Sequence, residues 1–141
     1  MRKITRSILI LFLILTLNLS VIHAVSRASR YISQFLIICD SGNNRGEIVI
    51  EGSVVAVRET TKIGIAFLKI YEENGDYVTT IIGNEENGLI STNGGRSYSC
   101  SYTYEDAIPG VGYYAVVTAY AGDINGFDTQ EETTSVAWAP Y

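Results

Sequence analysis

Residues 62–82 read KIGIAFLKIYEENGDYVTTII, two apolar runs joined by the turn residues Glu73-Asn74-Gly75-Asp76. Both runs are rich in β-branched and aromatic residues, which favour extended strands. Asn-Gly between two such runs predicts a β-hairpin, with a type I′ turn in which both central residues have positive φ. The stretch therefore predicts two antiparallel strands, Lys62–Glu72 and Asp76–Ile82.

The same signature continues on both sides of this hairpin. Gly, Asn and Pro recur at short intervals, and no stretch has a sustained helical period. Seven strands are predicted: Tyr31–Cys39, Gly46–Val57, Lys62–Glu72, Asp76–Ile82, Arg96–Tyr104, Gly112–Tyr120 and Glu132–Trp138. This number of short strands predicts an all-β fold, a single antiparallel β-sandwich. Alternation predicts a core that contains Ile48, Ile50, Leu68, Ile70, Cys100, Tyr113, Val117 and Trp138.

The first 24 residues have the layout of a secretory signal peptide. Three basic residues precede an apolar run, Ile8–Leu19, and a short polar region ends at Ala24. The run is shorter than the roughly 20 apolar residues that span a membrane. We therefore expect residues 1–24 to be removed and residues 25–141 to form one secreted domain that does not insert in a membrane. Cleavage after Ala28 is an alternative to cleavage after Ala24.

Removal of residues 1–24 changes the charge and the available chemistry. Seven basic residues then face 15 acidic ones, a net charge of −8. Such a surface disfavours nucleic acid as a partner. The single histidine, His23, also leaves, so residues 25–141 contain no imidazole for a catalytic triad, a Cys-His pair or a histidine-ligated zinc site. We predict a protein that is not an enzyme and that needs no cofactor.

Two cysteines remain, Cys39 and Cys100. Export would permit a disulfide between them. The alternative is two free thiols that pack as small apolar side chains. The choice depends on the distance between the two residues in the fold, so both alternatives are open at this point.

The stretch Ile108-Pro109-Gly110-Val111-Gly112-Tyr113-Tyr114-Ala115-Val116-Val117-Thr118-Ala119 resembles the E–F corner and strand F of fibronectin type III-like domains. The resemblance implies that the Tyr113 side chain points inward and that its hydroxyl bonds to the backbone. It also implies an F–G loop at Gly122–Asp128 and a strand G at Glu132–Trp138. Tyr98-Ser99-Cys100 resembles the Tyr-x-Cys of an immunoglobulin strand F.

The whole chain is similar to small secreted fibronectin type III-like and immunoglobulin-like β-sandwich proteins of Gram-positive bacteria. That resemblance implies a fold and no activity.

The inward position of Tyr113 predicts an aromatic surface on the opposite side of its strand. Tyr114 and Tyr120 then project outward. If Lys69 projects outward on the neighbouring strand, so do Ile65, Phe67 and Tyr71. Exposed surfaces of this kind mark interaction sites, so Tyr71, Tyr114 and Tyr120 are the predicted ligand-binding residues. The alternative is that the segment Tyr31–Ile38 covers this sheet.

An acidic turn near the C-terminus is a second candidate site. Asp123, Asn125 and Asp128 carry oxygen ligands of the kind that Ca²⁺ prefers. Their spacing departs from the EF-hand loop, in which the glycine lies one position later. The alternative is a solvated hairpin whose acidic side chains hold its tip in water.

These observations favour a secreted, non-enzymatic binding or adhesion-type module that recognises an extracellular protein or glycan. One alternative is a structural subunit that self-associates through sheet edges, which sedimentation across concentrations would reveal. The other is an enzyme that uses carboxylates or a metal, which the absence of histidine and of a nucleophile-base pair disfavours.

Overall fold

The alternating pattern of the sequence folds into nine antiparallel strands in a computed structural model, which describes residues 29–141. The strands are β1 (Ile32–Ser41), β2 (Ile48–Thr60), β3 (Lys62–Glu72), β4 (Tyr77–Ile82), β5 (Ile90–Ser91), β6 (Gly95–Tyr104), β7 (Gly112–Asp123), β8 (Gly126–Thr133) and β9 (Ala137–Trp138). The predicted all-β antiparallel fold is confirmed. The predicted signal peptide, with cleavage after Ala24 or Ala28, lies outside the described residues.

Two sheets face each other across the core. One has three strands in the order β1-β2-β6, and the other has the path β4-β3-β7-β8. The two-residue strands lie off this path, β5 beside β3 and β9 beside β7. The seven longer strands match the predicted number. Within residues 29–141, no helix has the length and apolar character needed to cross a membrane.

The inner faces of both sheets supply the core. The central strands contribute aliphatic side chains that are almost fully buried, and burial of this kind stabilises a fold by about 1.5–3 kcal/mol per large side chain. The predicted core residues that are buried are Ile48, Ile50, Leu68, Ile70, Tyr113 and Val117. The alternation along β2, β3 and β7 therefore predicted these buried positions correctly.

Two predicted core residues differ in the structure. Trp138 is 53% exposed, because Ala137 takes the inward position of β9 and Trp138 projects to the other side. Cys100 lies on the inner side of β6, but it is only half-buried because β6 is an edge strand. The prediction for Trp138 was wrong, and burial of Cys100 is incomplete.

The hairpin between β3 and β4 is present, but its turn is not type I′. Only glycines have positive φ in the described chain, so Asn74 does not meet the requirement of that turn. The Gly75 amide donates to the carbonyl of Glu72 at 2.9 Å, and Gly75 has a φ of 94°. This is the longer connection in which a turn is followed by a left-handed glycine and a bulge.

The C-terminal hairpin corrects the strand assignment. The segment Gly122–Asp128 was predicted as a loop and Glu132–Trp138 as the last long strand. In the structure β7 continues to Asp123, and β8 begins at Gly126. The error arose because β8 is an edge strand with acidic side chains, a composition that also fits a loop.

A glycine on the inner face of β2 controls how closely the sheets approach. A Cβ atom at Gly52 would lie 2.6 Å from Cδ1 of Ile65 on the facing sheet and 3.8 Å from Sγ of Cys100. The first distance is shorter than real carbon contacts permit, so a larger residue at this position would displace Ile65. The two sheets can therefore pack this closely because position 52 has no side chain.

Tyr113 begins the buried side of β7. Its side chain is 2% exposed, and the backbone N–H of Ile108 donates to its hydroxyl oxygen at 2.9 Å. The expected bond from the hydroxyl to a nearby backbone group is confirmed. The wider resemblance to fibronectin type III-like domains stays a prediction.

Substitution Tyr113→Phe should lower the free energy of unfolding by about 1–2 kcal/mol, because the Ile108 N–H loses its partner in a partly buried place. Denaturant unfolding of purified protein measures the change. Tyr77→Phe is the matched control: the Tyr77 hydroxyl bonds to Thr80 at an exposed site, so a change within about 0.5 kcal/mol is expected. Equal losses in the two variants would contradict the role of Tyr113.

Candidate binding surface

The outer side of the sheet β4-β3-β7-β8 carries a set of large apolar side chains. We call this surface the aromatic face, and it presents Phe67, Tyr71, Tyr77, Ile82, Tyr114, Tyr120 and Phe127. Along β7, Tyr113, Ala115 and Val117 are buried while the residues between them project outward. The predicted residues Tyr71, Tyr114 and Tyr120 therefore all lie on one surface.

One end of the aromatic face holds three tyrosines. Tyr71 of β3 pairs with Tyr114 of β7, and their rings are stacked with centroids 5.3 Å apart and an angle of 11°. Tyr77 of β4 meets Tyr71 edge-on, with centroids 5.7 Å apart. Aromatic pairs in these geometries stabilise each other by about 0.5–1.5 kcal/mol, so the rings hold one another in place.

A second cluster lies at the other end of β7. Tyr120 stacks on Phe127 of β8 with centroids 5.3 Å apart and an angle of 19°. The Lys62 ammonium lies 5.3 Å from the centre of the Tyr120 ring, within reach of a cation–π interaction. Tyr120 lies six positions after Tyr114, so the two clusters are about 20 Å apart along the strand.

The space between the clusters holds both polar and apolar side chains, since Phe67 lies opposite Thr118 and beside Ile82. Lys69 Nζ lies 3.8 Å from Glu131 Oε2, and the Thr118 hydroxyl donates to the same oxygen at 3.3 Å. Both charged side chains are solvent-exposed, so the pair adds little to stability. The aromatic face thus has an aromatic cluster at each end and a centre that combines one charge pair with the apolar side chains of Phe67 and Ile82.

No described part of the chain covers this surface. The segment Tyr31–Ile38 was the expected cover in the alternative reading, but β1 pairs with β2 in the opposite sheet. Tyr77, Ile82 and Phe127 are each 60% exposed or more. The alternative of a covered sheet is wrong for residues 29–141.

Three members of the aromatic face were missed from the sequence, and one expected member is absent. The strand that carries Tyr77 and Ile82 was predicted, but its inward and outward positions were not. Phe127 was predicted to lie in a loop. Ile65 was expected to project outward, but it is 1% exposed. The register between β3 and β7 shifts between Ile65 and Phe67, and such a shift reverses the side on which the next residues project.

The two carboxylates of the acidic turn contact the beginning of the described chain. Oδ1 of Asp123 accepts hydrogen bonds from the Tyr31 hydroxyl at 2.9 Å and from the Asn125 amide at 2.7 Å. Oδ2 of Asp128 accepts from the Ser29 hydroxyl at 2.8 Å, from the Tyr31 amide at 2.9 Å and from the Arg30 amide. The two carboxylates therefore hold the beginning of the described chain against β8.

The side chains around Tyr31 complete this anchor. The Arg58 guanidinium lies 4.3 Å from the centre of the Tyr31 ring and 3.9 Å from Oδ2 of Asp123. Among residues 29–141, no group of three or more His, Cys, Asp or Glu side chains is arranged to hold a metal ion. Asp123, Asn125 and Asp128 lie near one another, but the carboxylates already accept hydrogen bonds from protein donors.

These contacts shift the ionisation of both acids. The hydrogen bond from the Asn125 amide is the main cause that lowers the pKa of Asp123, and the Tyr31 hydroxyl and the Arg58 charge act in the same direction. Burial alone would raise the pKa of Asp128, but the hydrogen bonds from Ser29, Tyr31 and Arg30 outweigh it and lower that pKa. Both groups are thus held in the charged form that accepts these hydrogen bonds.

The two cysteines are free thiols in the structure. Cys39 of β1 pairs with Ile50, whereas Cys100 of β6 pairs with Gly52, so the strand β2 lies between them. Two strand spacings separate their Cα atoms by about 10 Å or more, beyond the roughly 7 Å limit for a disulfide. Burial raises the pKa of each thiol to about 11.

Asp128→Ala should release the start of β1, because three donors lose their acceptor. Hydrogen exchange should show the protection of the Arg30 and Tyr31 amides falling at least about fivefold. A lowered pKa means that this protection is present above about pH 4 and is lost as pH falls through the pKa of Asp128. Glu131→Gln is the control, and unchanged protection in Asp128→Ala would contradict the anchor.

Thiol titration should find two free thiols per chain in denaturant without reductant. In the folded protein at pH 8, reaction should be at least about a hundredfold slower, because a pKa of about 11 leaves little thiolate. The rate should rise as pH approaches the raised pKa. Thiols that appear only after reduction would indicate a disulfide and would contradict the strand order.

Comparison with known proteins adds one structural likeness. No protein-family model matches the sequence, and no curated protein matches it. A solved family 76 glycoside hydrolase from a bovine Bacteroides thetaiotaomicron strain is similar over 76% of this chain, with 17% sequence identity and a TM-score of 0.41. The match spans 20% of that hydrolase.

Proposed function

We propose that this chain is an extracellular, non-enzymatic binding module whose ligand surface is the aromatic face and whose ligand is a protein. The observation that carries the proposal is the exposure of two ordered aromatic clusters on one sheet with no described segment over them. Exposed apolar side chains in contact with water cost free energy, and a surface that retains them is typical of an interaction site.

The orientation of the rings favours a protein over a glycan. A sugar stacks on an open aromatic face, but one face of Tyr71 is occupied by Tyr114 and Tyr77 lies edge-on against Tyr71. Tyr120 is stacked on Phe127 and approached by Lys62. What remains for a ligand is ring edges, hydroxyls and the exposed side chains of Phe67 and Ile82, which suit the apolar and polar mixture of a protein surface.

Charge supports the same assignment. The centre of the aromatic face carries one paired lysine and glutamate, Lys69 and Glu131, so it has little net charge. Affinity would then come from buried tyrosine area and hydroxyl hydrogen bonds, since tyrosine loses few rotatable bonds on binding. Association through such a surface depends weakly on salt, because electrostatic steering contributes little.

The composition supports a binding role without catalysis. Residues 25–141 contain no histidine, and burial raises the pKa of both thiols, so neither a general base near neutral pH nor a reactive thiolate is supplied. A carboxylate-based enzyme would need two acids that face each other across a cleft. On the aromatic face, the central acid Glu131 is paired with Lys69 instead.

Tyr114→Ser/Tyr120→Ser should weaken binding at least about a hundredfold, because it removes one aromatic anchor from each cluster. The variant should remain folded, since both side chains are half-exposed and each lost stack costs about 1 kcal/mol. The matched control is Leu36→Ser/Ile38→Ser, which removes exposed apolar area from the outer side of the other sheet.

The parent chain, the tyrosine variant and the control variant are each immobilised and exposed to surface proteins released from the producing cells. Surface proteins that the parent retains are purified, and their Kd for each of the three chains is measured. The same labelled proteins are applied to a glycan array. Loss of affinity for a purified protein in the tyrosine variant alone supports the proposal. If the tyrosine variant loses binding to glycans and no protein is bound, the choice of a protein ligand is overturned. If the parent, the tyrosine variant and the control bind equally well, the site is overturned.

A further inference from the structure

The strand β6 is an edge of unusual regularity. Within residues 29–141, β6 pairs with β2 alone, and the register from Ser97 to Tyr104 has no shift. The segment Ser97–Tyr104 has no charged residue and no proline. An edge of this kind presents a row of backbone donors and acceptors to any strand that approaches it.

The other three edges carry features that discourage pairing. β8 has three acidic residues among its eight, and β4 is only six residues long. β1 has a register shift between Ile32 and Gln34, and at its end the Ser41 hydroxyl donates to the carbonyl of Trp138 at 2.7 Å. Charges, short length and bulges are the usual means by which proteins protect edges, and β6 has none of them between Ser97 and Tyr104.

The sandwich is also one strand short beside β6. The three-stranded sheet faces a four-stranded sheet, with β1 against β7 and β8 and with β6 against β3. The inner side of β4 is therefore left partly uncovered, and a groove of about 450 Å³ runs between the edges of β4 and β6. Its lining includes Thr79, Ile81, Tyr102 and Tyr104.

We propose that β6 is a dimerisation edge, at which a second copy of this chain adds its own β6 in antiparallel pairing about a two-fold axis through Ser101. The two three-stranded sheets become one six-stranded sheet. The inner side of the added strand is faced by that copy's own β3, so the contact between the copies is made by the backbone and side chains of the two β6 strands.

This register makes the edge complementary to itself. Residues at equal distances before and after Ser101 pair across the axis. Tyr98 therefore lies opposite the partner's Tyr104, and Cys100 lies opposite the partner's Tyr102. Aromatic cross-strand pairs of this kind stabilise sheets. The outward positions bring together serine and threonine, with Ser101 beside its own copy on the axis.

The charges at the two ends of β6 favour the same arrangement. Arg96 lies at the beginning of the strand, and Glu105 and Asp106 follow its end. Antiparallel pairing places Arg96 of each copy beside the acidic pair of the other copy. A parallel arrangement would instead place like charges together, which disfavours it.

Sedimentation velocity from low micromolar concentration to the order of 100 μM tests the proposal, and a monomer–dimer equilibrium is expected. Ser101→Lys places two ammonium groups next to each other on the axis and should weaken the dimer at least about tenfold. Thr129→Lys is the matched control on the edge strand β8 and should leave the dimer unchanged. At a concentration where the parent is monomeric, both variants should keep its melting temperature, because both sites are exposed.

Cross-linking tests the register. Cys100→Ala/Ser101→Cys, treated with oxidised glutathione, should form a disulfide-linked dimer, because residues opposite each other on the axis lie within disulfide range. Cys100→Ala/Ser53→Cys places the thiol one strand farther from the axis and should not. A monomer at all concentrations, or a dimer that Ser101→Lys does not weaken, overturns the proposal. A dimer without the Ser101→Cys link overturns the register.

Discussion

The pairing of β3 with β7 is the constraint on which both surfaces of the larger sheet depend. Leu68 lies opposite Val117 inside, whereas Tyr71 lies opposite Tyr114 outside. Because successive side chains project to opposite sides, a slip of one residue would exchange the core for the aromatic face. The bond from the Ile108 N–H to the Tyr113 hydroxyl holds the beginning of β7 in place, so one partly buried hydrogen bond supports the arrangement of both sides.

Sequence patterns predicted what is local to one strand. Alternation around Tyr113 was enough to place Tyr114 and Tyr120 on the outer side, because each position depends only on its neighbours along β7. Phe127 could not be placed, since the inner positions of an edge strand tolerate acidic side chains. The distance from Cys39 to Cys100 depends on β2 lying between β1 and β6, and strand order is a property of the whole fold.

Buried polar side chains in this molecule form hydrogen bonds with other groups of the same chain. The Thr134 hydroxyl accepts from the Ala115 amide at 2.9 Å and donates to the Ser135 carbonyl at 2.8 Å, which joins the first half of β7 to the chain beyond β8. Across residues 29–141, no buried side-chain nitrogen or oxygen lacks a hydrogen-bond partner. The polar groups of the interior therefore need no ligand or further partner to complete their hydrogen bonds.

The anchor of Tyr31 can form only late, because its partners lie far along the chain. Its partners Asp123 and Asp128 lie 92 and 97 positions farther along the chain. A ribosome delivers the N-terminal strand first, yet the carboxylates that fix it arrive only with the C-terminal hairpin. The residues before β1 therefore stay without this anchor until β8 has been made, although β1 itself can already pair with β2. Contacts with such a long separation in sequence form slowly, so this anchor should close later than the hairpins between neighbouring strands.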